Sequence, residues 1–253
     1  MAIDSSRPIF IVGAPRSGTT LMQNVLDAHS NVICPRCETF LFTRSRWIFE
    51  GRIWDDHYSK LPIGREGVVA WFRESMTDLF RRLQPNTSAR RFCEKTPEHA
   101  KHMDLIHEVF PDAQFIHIVR NGEDVVRSLQ KIEWSASGLY GAARNTFIWM
   151  NWVRSARSTG ARLGPNLYME IRYEELITNP RKVLEEICAF LGEQFDQRML
   201  EFYKPENSTW GLSSRPFPNI SETGPLTGGL NPLYRLIFRL MAGNLMRELG
   251  YYH

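Results

Sequence analysis

The chain has 253 residues, 43% of them hydrophobic and 23% charged: enough apolar material for one sizeable core, and too balanced a composition for global disorder. The formal net charge is +3 with no basic stripe or cluster, which argues against nucleic acid as a partner and suits an anionic small ligand. Cys34, Cys37, Cys93 and Cys188 are few for a disulfide framework, and the C-x-x-C at 34–37 lacks the second ligand pair of a zinc site. The first residues form no apolar signal region, and no run of about 18 apolar residues follows. The expectation is a cytoplasmic protein with no transmembrane segment.

Residues 8–12 read as a short buried strand. The loop GAPRSGTT (13–20) follows, then a helix over 19–29 with Leu21, Met22, Val25 and Leu26 on one face. A second helical pattern covers 66–83, and Phe92 and Cys93 end a short strand. Thr96-Pro97-Glu98 predicts a helix start, with Thr as N-cap and Pro in the first position, for a helix running to Phe110 and stopping at Pro111. QFIHIV (114–119) predicts a central parallel strand, after which Asn121 caps a helix carrying Glu123 and Asp124 in its first turn. A longer helix over 141–161, a strand over 167–172, and a helix from Pro180 to Leu191 closed by Gly192 come next. Residues 204–232 read as a long ordered loop. The last helix, 232–249, is expected to pack its leucine side on the core; peripheral membrane contact through it is the lesser reading. This alternation predicts an α/β fold, a P-loop-type three-layer domain with a central, mostly parallel sheet flanked by helices, as one domain over 1–253.

The loop carries the chemistry. A strand, a glycine turn and a helix start place backbone N–H groups and the helix dipole around one anion. Arg16 adds a forked cation, and Ser17, Thr19 and Thr20 surround Gly18 with hydroxyls. Yet Thr19 stands where a G-x-x-x-x-G-K-[ST] loop has lysine, and the strand at 114–119 ends in Arg120 where a metal-binding Asp is wanted. Both features argue against Mg-ATP chemistry and against a required metal. Arg120, with Ser128 eight residues on, offers a second anion site, so the ligand should carry phosphates at two separated positions.

FIVGAPRSGTTLMQNVLDAH, HIVRNGEDVVRS and RYEELITNP together resemble the sulfotransferases that use 3′-phosphoadenosine 5′-phosphosulfate (PAPS). LDAHSNVICPRCET and CEKTPEH look most like the protein-tyrosine sulfotransferases and their bacterial relatives. The resemblance covers most of residues 8–192. It implies that the loop holds the 5′-phosphosulfate, that Arg120 and Ser128 hold the 3′-phosphate, and that Tyr173 lies near the adenine nucleotide. It also implies that the stretch 208–230 covers the donor, with Thr209, Ser214 and Arg215 as contacts. Glu38 would be the base, Lys95 the second cation beside Arg16, and His29 the fallback base. Here the segment reads CPRCETF, one residue longer than the family's usual CGEETR, with Phe40 in place of the arginine. The implied reaction moves a sulfuryl group to a hydroxyl or phenol acceptor and releases PAP. Small molecule, carbohydrate, lipid and peptide tyrosine all stay open as acceptors. Two other classes compete: a PAP(S)-binding module without transfer activity, and a P-loop kinase.

Overall fold

The computed structural model describes residues 4–49, 56–83, 89–132, 135–207, 220 and 229–252. Five strands form one sheet: β1 (Asp4–Gly13), β2 (Val32–Ile33), β3 (Arg91–Lys95), β4 (Gln114–Val119) and β5 (Tyr168–Arg172). The sheet order is β2-β3-β1-β4-β5 and every pairing is parallel. From β1 the chain winds outward to β2 and returns through β3. It then crosses to the other side for β4 and β5. The strand order therefore divides at β1, and the space beyond its carboxyl end is the usual ligand position in open α/β sheets.

Strand alternation distributes the core to both faces. Phe10, Val12, Phe92 and Phe115 face one cluster, Ile9, Ile11, Ile116 and Ile118 the other. The first face is covered by α2 (Leu41–Phe49), α3 (Gly64–Arg82) and α4 (Met103–Val109), where Phe80 stacks on Phe92 with ring centres 4.0 Å apart. The second is covered by α1 (Thr19–Asp27), α7 (Tyr173–Thr178) and α8 (Pro180–Leu191). A third cluster joins α5 (Gly122–Leu129), α6 (Gly138–Leu163) and α9 (Pro232–Glu248), with Trp149 against Phe238. Such two-sided burial is why β1 and β4 read as near-continuous apolar runs.

Several expectations meet the structure closely. β4 occupies 114–119 as predicted, Asn121 accepts the Glu123 amide as N-cap of α5, and Gly192 closes α8 with φ 76°. The helix expected over 96–110 does not form in one piece: a 3-10 turn over Pro97–Lys101 precedes α4. Thr96 gives no side-chain cap, because its hydroxyl is bonded to Glu94 and to the amides of Thr39 and Phe40. The last helix does pack on the core, but not by the leucine side expected: Phe238, Ala242, Leu245 and Met246 are buried while Leu233, Leu236 and Leu240 stay exposed, so the buried face is rotated away from them. No helix among the described residues is long and apolar enough to cross a membrane.

Candidate active site

The loop after β1 is shaped by its backbone. A Cβ on Gly13 would meet the Ile118 carbonyl oxygen of β4 at 2.6 Å, so only glycine fits. Arg16 takes a left-handed backbone, φ 70°, which for a residue with a side chain costs on the order of 1–3 kcal/mol and marks functional turns. The Ser17 amide closes the turn on the Ala14 carbonyl at 3.2 Å. Gly18 then starts α1 with no side chain capping its first amides. Those N–H groups and the positive end of the helix dipole suit an anion.

The next two strand ends complete the surround. Arg120, just past β4, donates from Nη1 to the Arg16 carbonyl at 3.4 Å, and its guanidinium lies 4.1 Å from the Tyr173 ring centre. Tyr173, just past β5, leans on the loop so closely that a Cβ on Gly18 would fall 2.4 Å from its ring. Arg16 Nε donates to Ser128 Oγ at 3.0 Å, tying the loop to α5. Ser17 Oγ and Arg120 Nε are buried without a hydrogen-bond partner among the described residues. Roughly 90% or more of buried polar groups are paired, so two orphaned donors at one loop fit the oxygens of an anionic ligand. Thr19 is buried at the loop's end and Thr20 is exposed beside it.

A second group stands at the end of β3, which pairs with β1 so that Lys95 lies opposite Ile11. Lys95 Nζ is 2.6 Å from Glu38 Oε1; the lysine side chain is 5% exposed and the glutamate 35%. A buried ammonium needs such a partner; the carboxylate is partly exposed, and among the described residues its other oxygen has no hydrogen bond. His29 is otherwise engaged: its Nδ1 accepts from the Asn31 amide at 3.0 Å and its Nε2 donates to the Gln194 carbonyl at 2.9 Å. Those two bonds leave neither ring nitrogen for a base.

The structure thus gathers Arg16, Ser17, Gly18, Arg120, Ser128 and Tyr173 around one loop, and pairs Glu38 with Lys95 at the neighbouring strand end. Thr209, Ser214 and Arg215 lie outside the described residues. Sequence reasoning missed Glu94, Thr39, Thr96 and His99, which form a buried cluster behind Glu38. The signal was present in RFCEK: alternation along β3 turns Glu94 inward on the side of Phe92.

The model of the sulfotransferase family matches residues 8–197. The chain belongs to the sulfotransferase family. As a member it is an enzyme of sulfuryl transfer. It is similar to protein-tyrosine sulfotransferase 1 of Danio rerio, 27% identical over 216 residues that make up 81% of this chain and 58% of that one. The match thus spans little more than half of the zebrafish protein. Among solved structures it is similar to the sulfotransferase domain from the Synechococcus PCC 7002 olefin synthase, with TM-score 0.63 and 23% identity over 96% of this chain and 98% of that one. A mouse sulfotransferase complexed with PAP is also similar, with TM-score 0.51 and 14% identity over 99% of this chain and 88% of that one. At these identities the two structures speak for the fold, a parallel sheet flanked by helices.

Proposed function

We propose that this sulfotransferase takes its sulfuryl group from PAPS, passes it to a hydroxyl or phenol, and releases PAP, the whole chain acting as one domain. The observation that carries the reading is the double cationic surround. Arg16 at the loop and Arg120 at the end of β4 are linked through one carbonyl, with orphaned donors beside both. A ligand with phosphates at two positions uses both; a nucleoside triphosphate with magnesium uses neither pattern well.

In this reading the loop amides, Ser17, Thr19 and Thr20 hold the 5′ side, Arg120 and Ser128 the 3′-phosphate, and Tyr173 the nucleotide. Thr209, Ser214 and Arg215 belong to the covering segment. PAPS supplies an activated sulfuryl group: the bond from sulfur to the bridging oxygen breaks as the acceptor oxygen bonds to sulfur, and that bridging oxygen leaves on the 5′-phosphate of PAP. Arg16 and Lys95 carry the positive charge that favours the departing oxygen. Glu38 takes the acceptor's proton as its oxygen bonds to sulfur, and Lys95 on Oε1 leaves Oε2 as the oxygen for that proton. The acceptor is hydroxyl-bearing. The relative's name adds tyrosine to the candidates, whereas Phe40 beside Glu38 supplies apolar surface where the family has an arginine.

Calorimetric titration with PAP, AMP and Mg-ATP tests the reading. Tight PAP binding, weak AMP binding and no gain from magnesium are expected. A preference for Mg-ATP, or no PAP binding, would withdraw it.

A further inference from the structure

Glu94 is the penultimate residue of β3, opposite Phe10 in the sheet and 2% exposed. Its surroundings are aromatic: Phe10 and Phe42 both lie edge-on to His99, which in turn touches Glu94. An ionised carboxylate in such a place is costly unless its oxygens are satisfied. They are. Oε1 accepts from Thr39 Oγ1 at 2.7 Å, from Thr96 Oγ1 at 2.6 Å and from the Thr39 amide at 3.3 Å. Oε2 meets His99 Nδ1 at 2.9 Å. Burial pushes the carboxyl up, but the charge of His99 and the bonds from His99, Thr96 and Thr39 outweigh it and hold the group below its ordinary range.

The donors are not scattered. Thr96 Oγ1 also accepts the amides of Thr39 and Phe40 at 3.1 and 3.3 Å, so the whole cluster closes on one turn. That turn is the one after Glu38, and it contains a left-handed Phe40, φ 52°. Such a backbone is held only where its surroundings over-determine it. Lys95, the next residue of β3, grips the Glu38 carboxylate itself. Two successive residues of one strand therefore fix Glu38, one through its backbone and one through its side chain.

We propose that Glu94 is a positioning residue, whose buried carboxylate clamps the Thr39–Phe40 turn and so sets the place of Glu38 for proton abstraction. The inference rests on the reading of Glu38 as the base. It makes the clamp, and not the surface of the segment, the source of the preorganisation that acid–base catalysis requires.

The test uses the full chain with Glu94→Gln, Thr39→Val and Thr39→Ser. Hydrogen–deuterium exchange should accelerate about tenfold or more over 37–42 in Glu94→Gln and Thr39→Val, stay at the wild-type rate in Thr39→Ser, and leave the loop at 13–20 protected. PAP affinity by calorimetry should not change. With PAPS and 2-naphthol, kcat should fall about tenfold in Thr39→Val with the KM for PAPS unmoved. The same substitution in a Glu38→Ala background should add little further loss, because the two act through one group. Unchanged exchange over 37–42, or loosening spread over the whole chain, would overturn the clamp. Full additivity with Glu38→Ala would do the same. Wild-type turnover in Glu38→Ala would instead sink the base assignment, and the exchange result would still decide whether the turn is clamped. Should Glu94→Gln not fold, Thr39→Val carries the comparison, since it removes one hydroxyl and keeps the shape.

Discussion

The two sides of β1 are built by different means. On the side of β4 and β5 the site is made of strand ends and backbone: a glycine turn, Arg120 immediately after β4, Tyr173 immediately after β5. On the side of β3 and β2 it is made of side chains that meet across 55 to 57 residues of sequence, as Glu38 does with Lys95 and Thr39 with Glu94. The first construction is rigid because the sheet is rigid. The second is rigid only as long as a buried polar cluster stays satisfied. In the proposed function the first side binds the donor and the second activates the acceptor, so that reading expects the two to fail separately.

The largest effects expected set the two sides against each other. Arg16→Ala and Glu38→Ala should each lower turnover by about 100-fold or more, the scale of a lost electrostatic or acid–base contribution. Only Arg16→Ala should also weaken PAP binding in calorimetry. Loss of PAP binding in Glu38→Ala would show that the sides are not separable. Next, Arg120→Ala should weaken PAP by about 10- to 100-fold, the value of hydrogen bonds to a charged group, and should weaken AMP far less. Equal losses for both nucleotides would remove the 3′-phosphate from Arg120. Gly18→Ala should cost about tenfold in PAP affinity, because the new methyl meets the Tyr173 ring at a backbone angle that alanine resists. Combining it with Tyr173→Ala should recover part of that loss. Smallest is Tyr173→Leu alone. It removes a ring 4.1 Å from Arg120 but keeps an apolar side chain there, so a loss of about 0.5–1 kcal/mol, roughly a two- to fivefold rise in Kd for PAP, is expected.

The same contrast explains what could be read from residues alone. The β1 loop, β4 and the α8 boundaries were legible because each is a local pattern: an apolar run, a glycine turn, a cap. Arg120 and Ser128 were picked out as an anion pair, and the structure brings both against the loop. Tyr173 came from the family resemblance, and the structure places it just past β5. The cluster on Glu94 was not legible, because no local pattern announces that Thr39 and Thr96 will share one carboxylate. Thr96 is the clearest case. Thr-Pro-Glu is a good helix start by propensity, yet tertiary hydrogen bonds claim the threonine hydroxyl and the helix breaks after one 3-10 turn. α2 was passed over for a related reason: its apolar residues sit in two clumps, Leu41-Phe42 and Trp47-Ile48-Phe49, with a polar stretch between, and show no helical stripe.

The divergence of the chain at β1 has a consequence for redesign. Because the chain fills β2 and β3 on one side of β1 before it crosses from β3 to β4 and β5 on the other, the segments that carry Glu38, α2 and α3 attach to the sheet through β2 and β3, whereas the arginine pair and Tyr173 attach through β1, β4 and β5. Exchanging the stretch between β2 and β3 for that of a relative is a graft along one seam. Under the proposed function such chimeras would change the acceptor and keep the donor site, with the Thr39–Glu94 contact as the suture that has to be kept.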